Sequence, residues 1–186
     1  DIEEADHLLT FNEIFLARLK GVAAISMEDA LDFGLTGPCL RACGVDYDLR
    51  KADPYSIYDR FDFNVPVGLD GDCWDRHYVR VREMYESMKI LEQALAGMPK
   101  GNVTSSLGKR LARPPEGQVY FRAENPRGEL GVYLVSDGTD KPYRLKVRPP
   151  SFCNLSAIKH MLKNTWIADT VVVLGSLDIV LGEVDR

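Results

Sequence analysis

Apolar residues recur at helical spacing from the first residues, with Ile2, Leu8, Leu9, Ile14, Phe15 and Leu19 marking one face of a helix over Asp1–Lys20. A short helix follows Ser26. Ser26 stands at its N-cap, Asp29 holds the acidic position three residues on, and Gly34 ends it. Gly37-Pro38 opens another brief turn that Gly44 stops. The clearest periodic segment is Asp72–Ala96. Tyr78, Val81, Tyr85, Met88, Leu91 and Leu95 form one apolar stripe there, and Gly97 and Pro99 end it. Between these helices Val45–Gly71 has no period and is rich in Asp, Tyr, Pro and Arg. It is too long for a simple connector. Its aromatic residues Tyr47, Tyr55, Tyr58, Phe61 and Phe63 predict an ordered, packed segment.

Lys100–Pro115 reads as an exposed loop. Three strand patterns come next, Gln118–Ala123, Leu130–Ser136 and Tyr143–Val147, with Ser136-Asp137-Gly138 as turn chemistry between the last two. After Pro149-Pro150 the pattern predicts a helix over Leu155–Leu162. A nearly apolar helix over Ala168–Leu177 is expected to be buried on most sides. These elements predict an α+β fold, rich in helix, with a small antiparallel sheet.

Composition narrows the function classes. The 186 residues suffice for one domain with a hydrophobic core, and 45% hydrophobic with 27% charged residues is ordinary for a globular protein. A net charge of −5 argues against a general nucleic-acid binder. No segment reads as a transmembrane helix: Ile167–Gly182 is short for a bilayer and contains Asp169, Thr170, Ser176 and Asp178. No secretory signal opens the chain, which begins without Met inside a helical pattern. A fragment of a longer product is the expectation. Cys39, Cys43, Cys73 and Cys153 form no CxxC pair and read as free core thiols, with Cys39 and Cys43 on one helical face. His7, His77 and His160 are scattered, and no metal site is expected. Neither a nucleophile elbow nor a phosphate-binding loop is present.

Four blocks carry a family resemblance. LTGPCLRACGVDYDLRK (Leu35–Lys51), PRGELGVYLVSDG (Pro126–Gly138), YRLKVRPPSFCNL (Tyr143–Leu155) and GSLDIVLGEVDR (Gly175–Arg186) resemble, in order, the hallmark segments of the 49 kDa subunit of respiratory complex I, the NADH-quinone oxidoreductase. The resemblance spans almost the whole chain and implies that residues 1–186 are the C-terminal part of such a subunit, with the N-terminal half absent. It extends to the large subunit of nickel–iron hydrogenases, and so implies a fold like part of that protein. The hydrogenase C-terminal motif resembles Asp-Pro-Cys-x-x-Cys-x-x-His. Here Asp178 is retained, Val180 and Glu183 stand at the two cysteine positions, and Arg186 at the histidine. A valine and a lone glutamate do not replace bridging thiolates, so the resemblance implies a cavity without metal. In the family that remodelled cavity receives a quinone headgroup.

The resemblance places several residues at or near this cavity. Arg127 of the PRG motif is implied to lie beside it, where a guanidinium suits a carboxylate or a quinone carbonyl; pairing with Glu129 or Glu124 at the sheet entry is a compatible reading. Val180 supplies apolar wall, and Phe152 is a second candidate. Ser151 is placed to cap the helix after the prolines, and Arg148-Pro149-Pro150 also reads as a rigid corner. Asp178 and Glu183 are cavity candidates, or with Asp185 and Arg186 a structural or docking charge network. Arg41, Tyr47 and Arg50 belong to a polar–aromatic set with structural and interface character.

The resemblance implies a part in electron transfer from NADH to quinone within a multisubunit, ion-translocating oxidoreductase. The isolated chain is then inactive. Quinone is the substrate of the assembled complex, and NADH, flavin and iron–sulfur clusters bind other subunits. The implied partners are other complex I subunits, above all the one carrying the terminal iron–sulfur cluster. The implied location is peripheral, on the cytoplasmic face of the inner or plasma membrane, or on the matrix side in a eukaryote. An apolar face awaiting the missing half is expected to make the chain self-associate. The rival readings are a subunit of a related non-NADH quinone or methanophenazine reductase, a membrane-bound hydrogenase subunit, and a purely structural or assembly element.

Overall fold

A computed structural model describes residues 1–101 and 113–185. Most of the expected loop over Lys100–Pro115, and Arg186, lie outside the described residues.

The N-terminal helical pattern forms two helices, α1 (Ile2–Leu9) and α2 (Glu13–Leu19). Asn12 explains the break: its side chain accepts hydrogen bonds from the Ile14 and Phe15 amides and starts a new helix. Helix α3 (Met27–Asp32) is capped as its sequence predicts, with Ser26 accepting from the Asp29 amide and its hydroxyl donating to the Asp29 carboxylate. Helix α4 (Pro38–Arg41) follows Gly37, and α5 (Leu49–Ala52) is capped by the Asp48 side chain. The segment Val45–Gly71 thus holds a short helix and, at Tyr58–Arg60, a 3₁₀ turn.

Helix α6 (Cys73–Ala96) is about 36 Å long at 1.5 Å per residue. Asp72 caps it by accepting from the Asp75 amide. The predicted stripe is buried over only part of its length. Val81 is in the core, whereas Met88, Leu91 and Leu95 are exposed, because the other helices pack on the first half of α6.

The sheet is a three-stranded antiparallel meander of β1 (Gly117–Asn125), β2 (Gly128–Ser136) and β3 (Arg144–Arg148), with β2 in the centre. After Pro149 the chain forms two short helices, α7 (Pro150–Leu155) and α8 (Ile158–Met161), instead of one over Leu155–Leu162. Proline at the first position of α7 fits the site, since that N–H has no intrahelical acceptor. Helix α9 (Thr170–Leu177) and α10 (Leu181–Val184) complete the chain. The expectation that the α9 region is buried on most sides is not met: Val173 and Leu177 face the core, but Val171 is 76% and Ile167 93% exposed. The architecture is the expected helix-rich α+β arrangement with a small antiparallel sheet.

The main core joins Leu19, Ile25, Leu35, Leu40, Met161, Val173 and Leu177 with the thiols of Cys39, Cys43 and Cys73. The far end of the sheet is open, with Val119, Tyr120, Phe121 and Leu145 more than half exposed. No helix among the described residues is long and apolar enough to cross a membrane.

Candidate functional site

The last carbonyls of a helix lack donors within the helix. At the end of α9 Arg80 and Arg127 supply them, while Arg76 holds the Ser176 hydroxyl. Arg76 Nε donates to Ser176 Oγ at 3.0 Å. Arg80 donates to the carbonyls of Ser176 at 2.7 Å and Leu177 at 3.3 Å. Arg127 Nε donates to the Asp178 carbonyl at 2.7 Å, and its Nη2 lies 3.3 Å from Asp178 Oδ1. Asp178 itself is left-handed, at φ 54° and ψ 53°, a conformation that Asp tolerates better than most residues. The chain turns there toward Val180.

Arg127 is held in place by a close crossing of two turns. A Cβ at Gly37 would come within 2.4 Å of Gly128 Cα, and one at Gly128 within 2.6 Å of Thr36 Cγ2, so both positions need glycine. Thr36 Oγ1 accepts from the Glu129 amide at 2.9 Å. Asn154 of α7, 1% exposed, accepts from the Thr36 amide at 2.9 Å and donates to the Arg127 carbonyl at 3.2 Å. Residues far apart in sequence thereby aim Arg127 at Asp178. Arg127 does not pair with Glu124, which is bound to Arg41, or with Glu129, which pairs with Arg122 and Arg148.

Ser151 does not cap α7; it lies inside that helix, 1% exposed. Its hydroxyl donates to Glu183 Oε2 in a short contact and accepts from the Val180 amide at 3.3 Å. The Ser151 amide also reaches Glu183 Oε2, at 3.2 Å. Ser151, Val180 and Glu183 are therefore one hydrogen-bonded unit that fixes α10 against α7. Phe152 points outward and is 58% exposed. Arg148 lies 3.5 Å from Glu129, Asp185 is exposed, and Arg186 is outside the described residues.

The polar–aromatic set of Arg41, Tyr47 and Arg50 is the centre of a buried charge network. The Arg41 side chain is 2% exposed; its Nε meets Glu83 at 2.6 Å and its Nη1 meets Glu124 at 2.9 Å and the Tyr47 carbonyl at 3.0 Å. Arg50 takes Asp48 through Nε and Nη2, the shortest contact being 2.6 Å. Burial pushes Glu83 and Glu124 above the usual carboxylate range despite Arg41. Burial acts on Asp48 in the same sense, but the bonds from Arg50 outweigh it and hold its carboxyl below the ordinary value.

Two clefts border these groups. One of about 400 Å³ is lined by Arg41, Glu83, Glu124 and Pro126, and a more apolar one of about 560 Å³ by Leu9, Phe15, His77 and Val172. Arg80, Met84 and Asp178 line both. Of the six cavity candidates, Asp178 borders the clefts directly and Arg127 adjoins it, whereas Val180, Phe152, Ser151 and Glu183 line neither.

Cys39, Cys43 and Cys73 are buried free thiols and Cys153 is partly covered. Among the described residues no group of three or more His, Cys, Asp and Glu is placed to hold a metal. His77 Nε2 and Thr10 Oγ1 are hydrogen-bonded at 3.2 Å, and the His77 ring packs edge-on against Phe15; burial lowers its pKa and favours the neutral ring. Sequence reasoning missed Thr36, Asn154, Arg76, Arg80 and Glu83. The one signal available was the i, i+4 spacing of Arg76 and Arg80, which puts both on one face of α6.

The model of the family described as respiratory-chain NADH dehydrogenase, 49 kDa subunit, matches residues 1–113 and 106–186, the whole chain in two overlapping parts. The chain belongs to this 49 kDa subunit family. It is 52% identical over 185 residues to the D subunit of NADH-quinone oxidoreductase from Dehalococcoides mccartyi, covering 100% of this chain and 50% of that protein. It is 50% identical over 185 residues to the second D subunit of Solibacter usitatus and 51% over 184 residues to the D subunit of Desulforamulus reducens, again at 50% of each relative. The chain thus spans about half the length of the curated relatives it matches. The arginine-held C-terminal segment is this family member's own arrangement of its GSLDIVLGEVDR block.

Proposed function

We propose that the chain is the C-terminal part of the 49 kDa-type subunit of an NADH–quinone oxidoreductase and that it contributes wall and support to the quinone cavity of the assembled enzyme. In that enzyme electrons pass from NADH to quinone. The chain itself holds neither nucleotide, flavin nor cluster; its surfaces dock on the neighbouring subunits, above all the iron–sulfur subunit that delivers the electrons. The complex lies at the membrane, with this portion peripheral on the cytoplasmic face, or on the matrix side in a eukaryote. Similarity over the full chain to proteins named for that activity carries the reading. The clasp of Arg127 on Asp178, together with the Ser151–Glu183 bond, supports it, because both fix the backbone on either side of Val180. Val180 then reaches the cavity from a fixed position when the rest of the protein closes over it.

A second reading, a structural or assembly role for the tail, is favoured by one observation: Val180 and Phe152 line neither cleft. A single experiment separates the two. Val180→Phe and deletion of Arg186, made in the full-length protein in native membranes, are compared for NADH:quinone and NADH:ferricyanide activity. Loss of quinone reduction with ferricyanide reduction retained supports the cavity reading. Parallel loss of both supports the assembly role and withdraws the pocket assignments.

A further inference from the structure

Along α6, His77, Val81, Met84, Met88, Leu91 and Leu95 follow one another at alternating steps of four and three residues. That is the spacing of a narrow seam that packs against another helix. The seam is covered at one end only. Phe15 packs edge-on against His77, whose ring is hydrogen-bonded to Thr10, and Val81 is 5% exposed. Beyond Val81 exposure climbs step by step, from 42% at Met84 through 46% at Met88 and 55% at Leu91 to 69% at Leu95. Helix α1 runs antiparallel to α6 where the cover stops. Thr10 meets His77, and Asp6, one turn earlier in α1, accepts from the Tyr85 hydroxyl at 3.3 Å. Yet α1 buries none of its own residues, and its Leu8 and Leu9 are exposed.

The apolar cleft of about 560 Å³ lies in this gap, bordered by α1, α2, α6 and α9. Leu19, Cys73 and Val81 line it, and all three are buried core residues, so the core itself opens to one side here. Two polar atoms at the cleft, Asp6 Oδ1 and Arg80 Nε, are buried without a hydrogen-bond partner among the described residues. Buried polar groups in native proteins are nearly always paired. A proper cover therefore brings apolar side chains to the seam, a donor to Asp6 and an acceptor to Arg80.

We propose that the half of the full-length subunit absent from this chain fills the groove, laying a helix along the Met84–Leu95 seam and closing the core. The proposal rests on the reading above, in which the chain is the C-terminal part of a subunit about twice as long. On that reading the absent half joins at Asp1, ahead of α1, which is itself a wall of the groove. A segment tethered there meets the groove at high effective concentration, with an advantage over any separate subunit. The surface suits a permanent cover. Obligate contacts resemble a domain core cut in half, whereas partners that come and go meet more polar surface.

The test uses the full-length protein in the assembled enzyme. A photoreactive benzophenone amino acid is placed at Leu91 and, in a second variant, at Leu95, both more than half exposed in this chain. NADH:ferricyanide activity confirms assembly, and mass spectrometry identifies the linked peptides after illumination. The expected result is a link within one polypeptide, from the probe to the segment ahead of Asp1. A link to another subunit, or a product of twice the subunit's mass, assigns the groove to a neighbour or a second copy and overturns the proposal. So does an unlinked probe in an enzyme whose Met84 and Met88 oxidise as fast as in unfolded protein. If neither variant assembles, methionine oxidation of the purified monomeric full-length subunit decides. Met84 and Met88 slowed to the rate of Met161, which is 1% exposed, support the proposal, and unslowed rates overturn it. A native polypeptide with no half preceding Asp1, seen by intact mass and N-terminal sequencing, would remove the underlying reading as well.

Discussion

Replacing Arg41 with methionine removes the one cation that Glu83 and Glu124 share. Methionine keeps an unbranched apolar stem of similar reach, so the change isolates the guanidinium. Contacts of 2.6 Å to Glu83, 2.9 Å to Glu124 and 3.0 Å to the Tyr47 carbonyl are lost at a site 2% exposed. Breaking a buried ion pair costs about 3–5 kcal/mol when the partner charge stays behind. At about 2–3 kcal/mol per molar of urea, that lowers the unfolding midpoint by about 1–2.5 M. The loss depends on pH with a definite sign. Burial already raises both glutamates above their ordinary value, and removing Arg41 raises them further. A raised carboxyl pKa penalises the folded state most above the folded pKa, and the penalty disappears as pH falls through it toward the unfolded value. The deficit of Arg41→Met is therefore larger at pH 8 than at pH 5. Urea unfolding of the full-length protein at both values measures it. An equal deficit at the two pH values, or one below about 1 kcal/mol, would refute the reasoning, since an unpaired buried charge then plays no part.

Ser151→Ala removes the hydroxyl that joins Glu183 to the Val180 amide, and hydrogen bonds to charged groups contribute about 1.5–3 kcal/mol. The expected outcome is faster hydrogen exchange at Val180–Val184 by mass spectrometry, with exchange in α6 unchanged. Cys43 is pushed up to about 11 by burial, so at pH 8 it is almost wholly thiol. Alkylation in native buffer should leave Cys43 unmodified while denaturant exposes it, as peptide mapping would show; rapid native labelling would contradict its burial.

The local signals were readable where a side chain acts on its own neighbourhood. Ser26 sits before its helix and caps it, and the turn chemistry at Ser136–Gly138 joins paired strands. Asn12 was equally local, but the apolar period running across it on both sides hid the break. Arg76 and Arg80 were not readable, because the groups they satisfy lie about a hundred residues away, and any surface helix carries such arginines. The apolar run of α9 predicted burial that this chain does not provide at Val171 or Ile167. Hydrophobicity says that a face avoids water, not which surface covers it. For the candidate site, the family blocks brought Arg127 and Asp178 to notice, and the structure adds how Thr36, Gly37 and Asn154 aim one at the other.

The arginine cap on α9 also constrains the order in which the chain can fold. Its donors precede their acceptors by 100 residues for Arg76, 96 for Arg80 and 51 for Arg127. Closing loops of that length costs chain entropy before any contact repays it. The carbonyls at the end of α9 and at Asp178 gain these arginine donors only once α6 and the β1–β2 turn have met over the core. The turn at Asp178 is thus tied at two ranges, to Ser151 of α7 about 30 residues back and to arginines 51 to 100 residues back, so the long ties cost more chain entropy to close than the short one.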